Sequence, residues 1–495
     1  TTRFQPSCQP MTDAVLTSRD DYIHQYLEDK LLIPCVRIRL TQLAAQHPTV
    51  YESPGTLELG KSFGVKGTFR ALKPGSSIED VFARLSMVED YEPGQLVRED
   101  QYFQLEAVTS EGVHWTCPRV SVRERPGQNE CEVRFGASYV ENISLATESA
   151  CAARLTYIEK LRMPENHLVD EAGRNGRRFM GRDGSKGRLA NLELTYTRRF
   201  RDDTVERSEL SVHVVDGTVP PRHFDTRVAE AMMFCSALLA QPVCVEVAHR
   251  TLRSIAFFKH QPVRESLVRP PIQNRFADRD FYILATAYYE HACKDGDVER
   301  MSLLTRKIAS LFDLSGASMA AVALGLAVAV EALAQTGKLA GRSKATPEHL
   351  AVVESIKAAV LNLPELDDLA RQLGEVNRLP DKRSLPDRLN ALLSLLGAGG
   401  RTIDALRLLK GVGAVTSEEI KAWDKLRHPT AHGSWEPKEE SMQIHFDDLY
   451  KLLTLVYRLV FVHIGYDARF DARSVKGWPV HEFKGKEAQA ALGLQ

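Results

Sequence analysis

Residues 191–197 read NLELTYT, with Leu192, Leu194 and Tyr196 alternating against Glu193, Thr195 and Thr197. A period of two gives a segment one apolar and one polar face, which predicts a strand of an antiparallel sheet. The alternation returns in ELSVHVVDG (209–217), where Leu210, Val212 and Val214 precede a turn at Asp216-Gly217. VHWTCPRVSV (113–122), CEVRF (131–135) and VCVEV (243–247) are shorter runs of the same kind, so strands dominate from about 49 to 265. One helix interrupts them: over 225–241, Val228, Met232, Cys235 and Leu239 share a face.

Beyond that sheet the period changes. The segment 262–279, PVRESLVRPPIQNRFADR, has three prolines and little periodicity, and reads as a linker or strap. From 280 to 466 the pattern is helical, with helices expected at 280–293, 297–313, 316–336, 347–361, 365–376, 385–396, 402–410, 417–428 and 446–465. In the last, Phe446, Leu449, Leu453, Val456, Val460 and His463 form a core stripe. The expected fold class is α+β multidomain. A lead segment (1–48) precedes a β-rich antiparallel region (49–261), the linker (262–279), an all-α domain (280–466) and a tail (467–495). No repeat of fixed period is visible.

A chain of 495 residues predicts roughly two to four domains. Formal charge is -1, with 64 basic residues against 65 acidic, so any nucleic-acid surface must be a local patch. The eight cysteines form no CxxC, which leaves neither a zinc nor a thioredoxin-like pattern. They read as free, buried thiols in a reducing cytoplasm. Neither a metal nor another cofactor is expected. The first residues, TTRFQPSCQP, lack the basic start and apolar core of a signal peptide, and Met11 is a candidate start. The longest uncharged run, Leu314 to Val330, is short of the ~20 residues of a membrane span and reads as a buried helix.

Residues 424–435, DKLRHPTAHGSW, place Arg427, His428 and His432 beside Pro429 and Gly433. Thr416 and Glu419 fit a capping box that starts the preceding helix. Ile420 and Trp423 form its apolar stripe, and Arg427 falls on the same side. Pro429 is expected to end the helix at His428. Arg-x4-His occurs four times: Arg19/His24, Arg162/His167, Arg427/His432 and Arg458/His463. Only Arg427/His432 has a capped amphipathic helix before it, a helix break, and a long apolar helix after it.

In that context KLRHPTAHG resembles the Arg-x4–6-His signature of the HEPN superfamily. The order AVALGLAVAVEALA, SLPDRLNALLSLLG, signature helix and final apolar helix is similar to the Apea-like HEPN group. That resemblance implies an all-α HEPN bundle behind a β-rich sensing or recruiting region, with a phage-derived trigger acting on the latter. It further implies an RNase in anti-phage defence that cuts host RNA such as tRNA. The active form would be a homodimer with Arg/His pairs facing across the HEPN interface, for which the apolar stripe of 446–465 or of 316–336 offers surface; the alternative is that both stripes are used inside one bundle and His428 completes the site in a monomer. The residue types suit metal-independent RNA cleavage to a 2′,3′-cyclic phosphate. Histidine titrates near neutrality and can act as base or acid, while arginine holds its charge and grips phosphate through a fork. His432 is the expected acid/base, Arg427 the phosphate ligand, and His428 a supporting candidate.

Two readings stand for Glu331. It either reaches Arg427 and fixes its orientation, or meets solvent where its helix emerges. The most basic stretch, GRNGRRFMGRDGSKGR (173–188), carries Arg174, Arg177, Arg178, Arg182, Lys186 and Arg188, extended by Arg198, Arg199 and Arg201. It lacks a P-loop pattern and reads as a mobile loop that grips RNA backbone or a phage component, or is simply a solvated hairpin loop. Trp115 and Tyr196 read as core aromatics. Two rivals to the enzyme remain: a non-enzymatic HEPN module that binds a nucleotide or partner, and an RNA-binding regulator acting through the basic stretch.

Overall fold

The computed structural model describes residues 20–43, 48–72, 99–126, 130–172, 178–201, 204–263, 267–273, 277–295, 301–314, 317–336, 339, 347–361, 402–431 and 442–494. The chain divides into two compact units. The first is residues 1–263 with 274–278 and 296–299, and the second is the remainder.

The first unit is built on a closed barrel of six antiparallel strands. These are β1 (Leu31–Gln42), β2 (Val50–Gly60), β3 (Gly64–Leu72), β4 (Tyr102–Thr109), β5 (His114–Pro126) and β6 (Glu130–Ala137). Their order is β4-β1-β2-β3-β6-β5, and pairing of β4 with β5 closes the ring. Its interior is the alternate residues of each strand, among them Leu40, Tyr51, Leu57, Val65, Leu105, Cys117 and Val133. Gly67 makes room there, because a Cβ would lie 2.5 Å from the Phe135 ring. Strand β1 lies within the stretch read as a lead segment. A bulge between Cys35 and Ile38 switches its buried residues from Leu31, Ile33 and Cys35 to Ile38 and Leu40. The break in parity hides the period of two.

A 19-residue strand, β7 (Tyr139–Tyr157), links the barrel to the rest of the sheet. Its start pairs with β5 and its end with β11. Beyond it run β8 (His167–Ala172), β9 (Arg178–Leu189), β10 (Leu192–Arg201) and β11 (Thr204–Val214), in the order β11-β10-β9-β8. Strand β12 (Cys244–Phe258) pairs with β7 along nearly its whole length. The unit also holds α1 (Asp20–Leu27) and α2 (Phe224–Ser236). The helix expected at 225–241 ends earlier, at Ala237 in the left-handed conformation, which closes the last turn.

The second unit corrects the expected all-α HEPN bundle, because its helices are mixed with strands. Helices α3 (Asp278–Cys293), α4 (Leu303–Asp313), α5 (Met319–Ala334), α6 (Pro347–Leu361), α7 (Thr402–Gly411), α8 (Ser417–Ala431) and α9 (Met442–Ile464) are followed by a hairpin. Its strands are β13 (Asp467–Asp471) and β14 (Val480–Lys484), and a short helix α10 (Gly485–Ala491) succeeds them. The residues read as a tail thus belong to the core. Phe470 and Phe483 pack on Phe461 of α9, with ring centroids 5.3 Å away in each case. Two five-residue strands carry too few alternations to announce themselves in sequence. The expected helices at 365–376 and 385–396 lie outside the described residues.

The proline-rich segment 267–273 is a strap on this unit. Tyr457 donates to Arg269 O, Arg473 Nη2 to Pro270 O at 2.6 Å, and Asp471 N to Pro271 O at 3.0 Å. Helix α9 is buried on every side from Leu452 to Val462, not along a single stripe. Of the two faces expected to meet a second copy, its stripe is therefore used inside the unit. Helix α5 exposes Leu324 and Val328. No helix among the described residues is long and apolar enough to cross a membrane.

Candidate functional site

Helix α8 starts as its sequence requires. Thr416 N donates to Glu419 Oε2 at 2.9 Å, and Glu419 N donates to Thr416 Oγ1 at 3.3 Å, a reciprocal capping box. The buried face runs through Glu419, Ala422, Trp423 and Leu426, rotated from the expected Ile420–Trp423–Arg427 stripe. Arg427 stands at its edge, half-exposed. Leu426 fills the apolar position instead, because an unpaired cation there would be costly to desolvate.

Arg427 Nε lies 2.5 Å from Glu331 Oε1, near the C-terminal end of α5. The Arg427 guanidinium also sits 5.2 Å from the centre of the Trp423 ring. The ion pair and the ring hold the fork in one place while 41% of the side chain stays accessible. An arginine keeps its charge and its planar fork suits phosphate and carboxylate oxygens.

The helix does not stop at His428. It runs through Pro429 to Ala431. A proline forfeits one backbone hydrogen bond, and here it does so in the final turn, after Trp423 and Leu426 have anchored the preceding turns. His428 therefore belongs to the last turn of α8, and its side chain is outside the described residues. His432 is outside them altogether.

Nitrogen donors from other helices gather at the same end of α5. Lys307 Nζ of α4 donates to Ala332 O at 3.0 Å, and His463 Nε2 of α9 lies 3.0 Å from Leu333 O. Carbonyls at a helix C-terminus carry partial negative charge and attract such groups. Burial lowers the His463 pKa to about 4, so the ring is neutral at pH 7 and donates its Nε2 proton. Burial also lowers His291 nearby. Arg458, the partner of His463 in an Arg-x4-His spacing, turns elsewhere: Nη1 donates to Ala414 O at 3.1 Å. Sequence reasoning gave no role to Lys307 or His291, which lie more than a hundred residues from Arg427 and have no motif.

The basic stretch is mainly strand rather than loop. Arg178 and Arg182 lie in β9, with side chains outside the described residues, and Arg174 and Arg177 are outside entirely. Lys186 and Arg188 are exposed, but Lys186 Nζ lies 3.1 Å from Glu193 Oε1 on β10. Arg199 is 3.0 Å from Glu209. Acidic residues thus offset part of the patch. The structure does not bring β9 and Arg427 into one unit.

Cys35, Cys117, Cys131, Cys235 and Cys244 are buried free thiols, whereas Cys151 and Cys293 are half-buried. Burial pushes the Cys35 thiol up to about 11, far from a nucleophile's range.

No family model, curated protein or solved structure matches this chain.

Proposed function

We propose that the chain is an endoribonuclease that works without a metal, with Arg427 as the phosphate ligand and His432 as acid/base. The carrying observation is Arg427 itself. A guanidinium held by Glu331 and Trp423, yet open to solvent, comes directly before His428 in the chain and five residues before His432. RNA is the substrate class. The reaction is attack of the 2′-hydroxyl on its own phosphorus, with departure of the 5′-oxygen, leaving a 2′,3′-cyclic phosphate and a 5′-hydroxyl. A histidine takes the first proton or gives the second, and an arginine offsets the charge that grows on the phosphoryl oxygens.

Two proton transfers need two groups. His428 or the His432 of a second copy would complete the site, and the exposed Leu324 and Val328 of α5 offer apolar surface for that copy. The resemblance to HEPN proteins supports tRNA as the RNA and phage infection as the trigger. Cytoplasmic residence belongs to the same reading.

The test is purified protein with total RNA in EDTA. Cleavage should persist, end in cyclic phosphate, and disappear in His432→Ala and Arg427→Ala chains that retain the wild-type melting curve. Cleavage by both variants at the wild-type rate would remove the assignment. Mixing wild type with excess His432→Ala should lower activity if the site is shared between copies.

A further inference from the structure

The outward side chains of β3, β6 and β5 give the barrel a basic face. In the register of these neighbouring strands, Arg70 stands opposite Glu132, and Glu132 opposite Arg125. One row along, Thr68 stands opposite Arg134, and Arg134 opposite Arg123. Lys66 continues the face on β3. All five cations are exposed, while the alternate residues Phe69, Val133 and Phe135 fill the barrel.

Three acids accompany them. Glu58 of β2 lies 3.1 Å from Lys66 Nζ, Glu132 lies 2.5 Å from Arg134 Nη2, and Glu130 stands a row further on, opposite Leu72. Arg70, Arg123 and Arg125 make no ion pair with any described residue. Four guanidiniums therefore surround one carboxylate, Glu132. Arg123 directly opposes Arg134, and like charges so placed, with Cβ atoms roughly 5 Å apart, destabilise a sheet. An anion between them removes that repulsion, and a phosphate has oxygens enough to accept from two guanidinium forks at once. With strands about 4.8 Å apart and alternate residues about 7 Å apart, the four arginines cover roughly 10 by 7 Å. That is wider than one phosphate spans and suits a run of them. The outward positions hold no aromatic side chain on which an unpaired base could stack, and Leu72 is their one large apolar group. A duplex keeps its bases stacked and turns its phosphates outward, so it asks for no such platform.

We propose that this face binds the phosphate backbone of double-stranded RNA. Arg123 and Arg134 share one phosphate, and Arg70 and Arg125 hold its neighbours. The contact carries no base readout and is independent of sequence. The choice of RNA over DNA rests on the cleavage proposed above; the face itself lies wholly in the first unit.

The test is the fluorescence anisotropy of a labelled 2′-O-methyl RNA duplex titrated with the full chain at several salt concentrations. That duplex lacks the attacking hydroxyl, so binding is read whether or not the chain cleaves RNA. Affinity should fall linearly with salt on logarithmic axes. Arg70→Gln, Arg123→Gln and Arg125→Gln together should weaken binding roughly tenfold or more and flatten the slope by about two to three, near 0.9 per lost contact. Arg123→Gln alone relieves the repulsion with Arg134, keeps the fold, and should flatten the slope by about one. Lys410→Gln, Lys476→Gln and Lys486→Gln, at exposed positions of the second unit, change net charge as much as the triple variant and should leave affinity and slope as they are. Wild-type binding by the triple arginine variant, an equal loss in the lysine control, or no duplex binding by the wild-type chain overturns the proposal. So does binding of the matching DNA duplex alone, or sedimentation with phosphatidylserine vesicles in place of RNA.

Discussion

Glu419 Oε1 lies 3.2 Å from Arg458 Nε, while the other oxygen of the same carboxylate accepts from Thr416 N. One fully buried acid therefore both starts α8 and ties it to α9. Arg458 adds contacts with the hairpin, its guanidinium 5.4 Å from the Phe470 ring centre and 5.9 Å from that of Phe483. Helix α8, helix α9 and the hairpin meet at this pair.

Glu419→Gln should preserve the cap but leave Arg458 charged and uncompensated in the interior. Breaking one side of a buried pair costs about 3–5 kcal/mol, so urea unfolding of the full chain should shift by roughly that amount. Arg458→Met added to Glu419→Gln should cost less than the sum of the two single changes, because no charge is then stranded. Strict additivity would contradict the coupling.

In the proposed reaction Glu331 is a positioning residue that would act through Arg427. Its pair with Arg427 is more than a third exposed on one side, so Glu331→Gln should change stability by less than about 1 kcal/mol. Cleavage should fall roughly tenfold through misplacement of the guanidinium, and Glu331→Asp should restore part of it. The loss should appear in kcat more than in KM. An undiminished kcat in Glu331→Gln would leave the ion pair structural only.

His463 links stability to pH. Its folded pKa of about 4 lies below the ordinary ~6.5 of an unfolded chain. Between those values the unfolded state holds a proton that the folded state refuses, so stability falls as pH falls. The contribution is complete above pH 6.5 and is lost as pH falls, the loss reaching at most about 3 kcal/mol by pH 4, at ~1.4 kcal/mol per unit. His291, lowered in the same sense, adds to it. His463→Gln should flatten the decline in melting temperature between pH 6.5 and 4; an unaltered slope would show that other groups carry it.

Gly485 joins the hairpin to α9. Its N–H donates to Tyr466 O at 2.8 Å, and a Cβ would lie 2.6 Å from that oxygen and 2.7 Å from Phe461 O. Both obstacles are backbone, which cannot rotate aside. Gly485→Ala should detach the C-terminal strands and lower the melting temperature by several degrees, whereas Gly477→Ala, with nothing within 4 Å, should act only through its φ of 84°.

Local pattern alone determined much of this protein. Alternation at 192–196 and 210–214 announced β10 and β11, and apolar spacing announced α3, α5 and α9. Thr416 and Glu419 announced the start of α8. Those features need only neighbours in the chain, because period and capping are set within one or two turns. Closure of the barrel was decided by tertiary structure. β1 conceals its period at a bulge, and the β4–β5 pairing that shuts the ring is a matter of strand tilt and register. The tail became a hairpin because Phe470 and Phe483 found Phe461. Pro429 stayed helical because Trp423 and Leu426 hold the turns before it, a balance of packing against propensity that no local rule can weigh. Arg427 and Glu331 were both legible as candidates, but the 2.5 Å between them exists only because α5 and α8 pack side by side across nearly a hundred residues of chain.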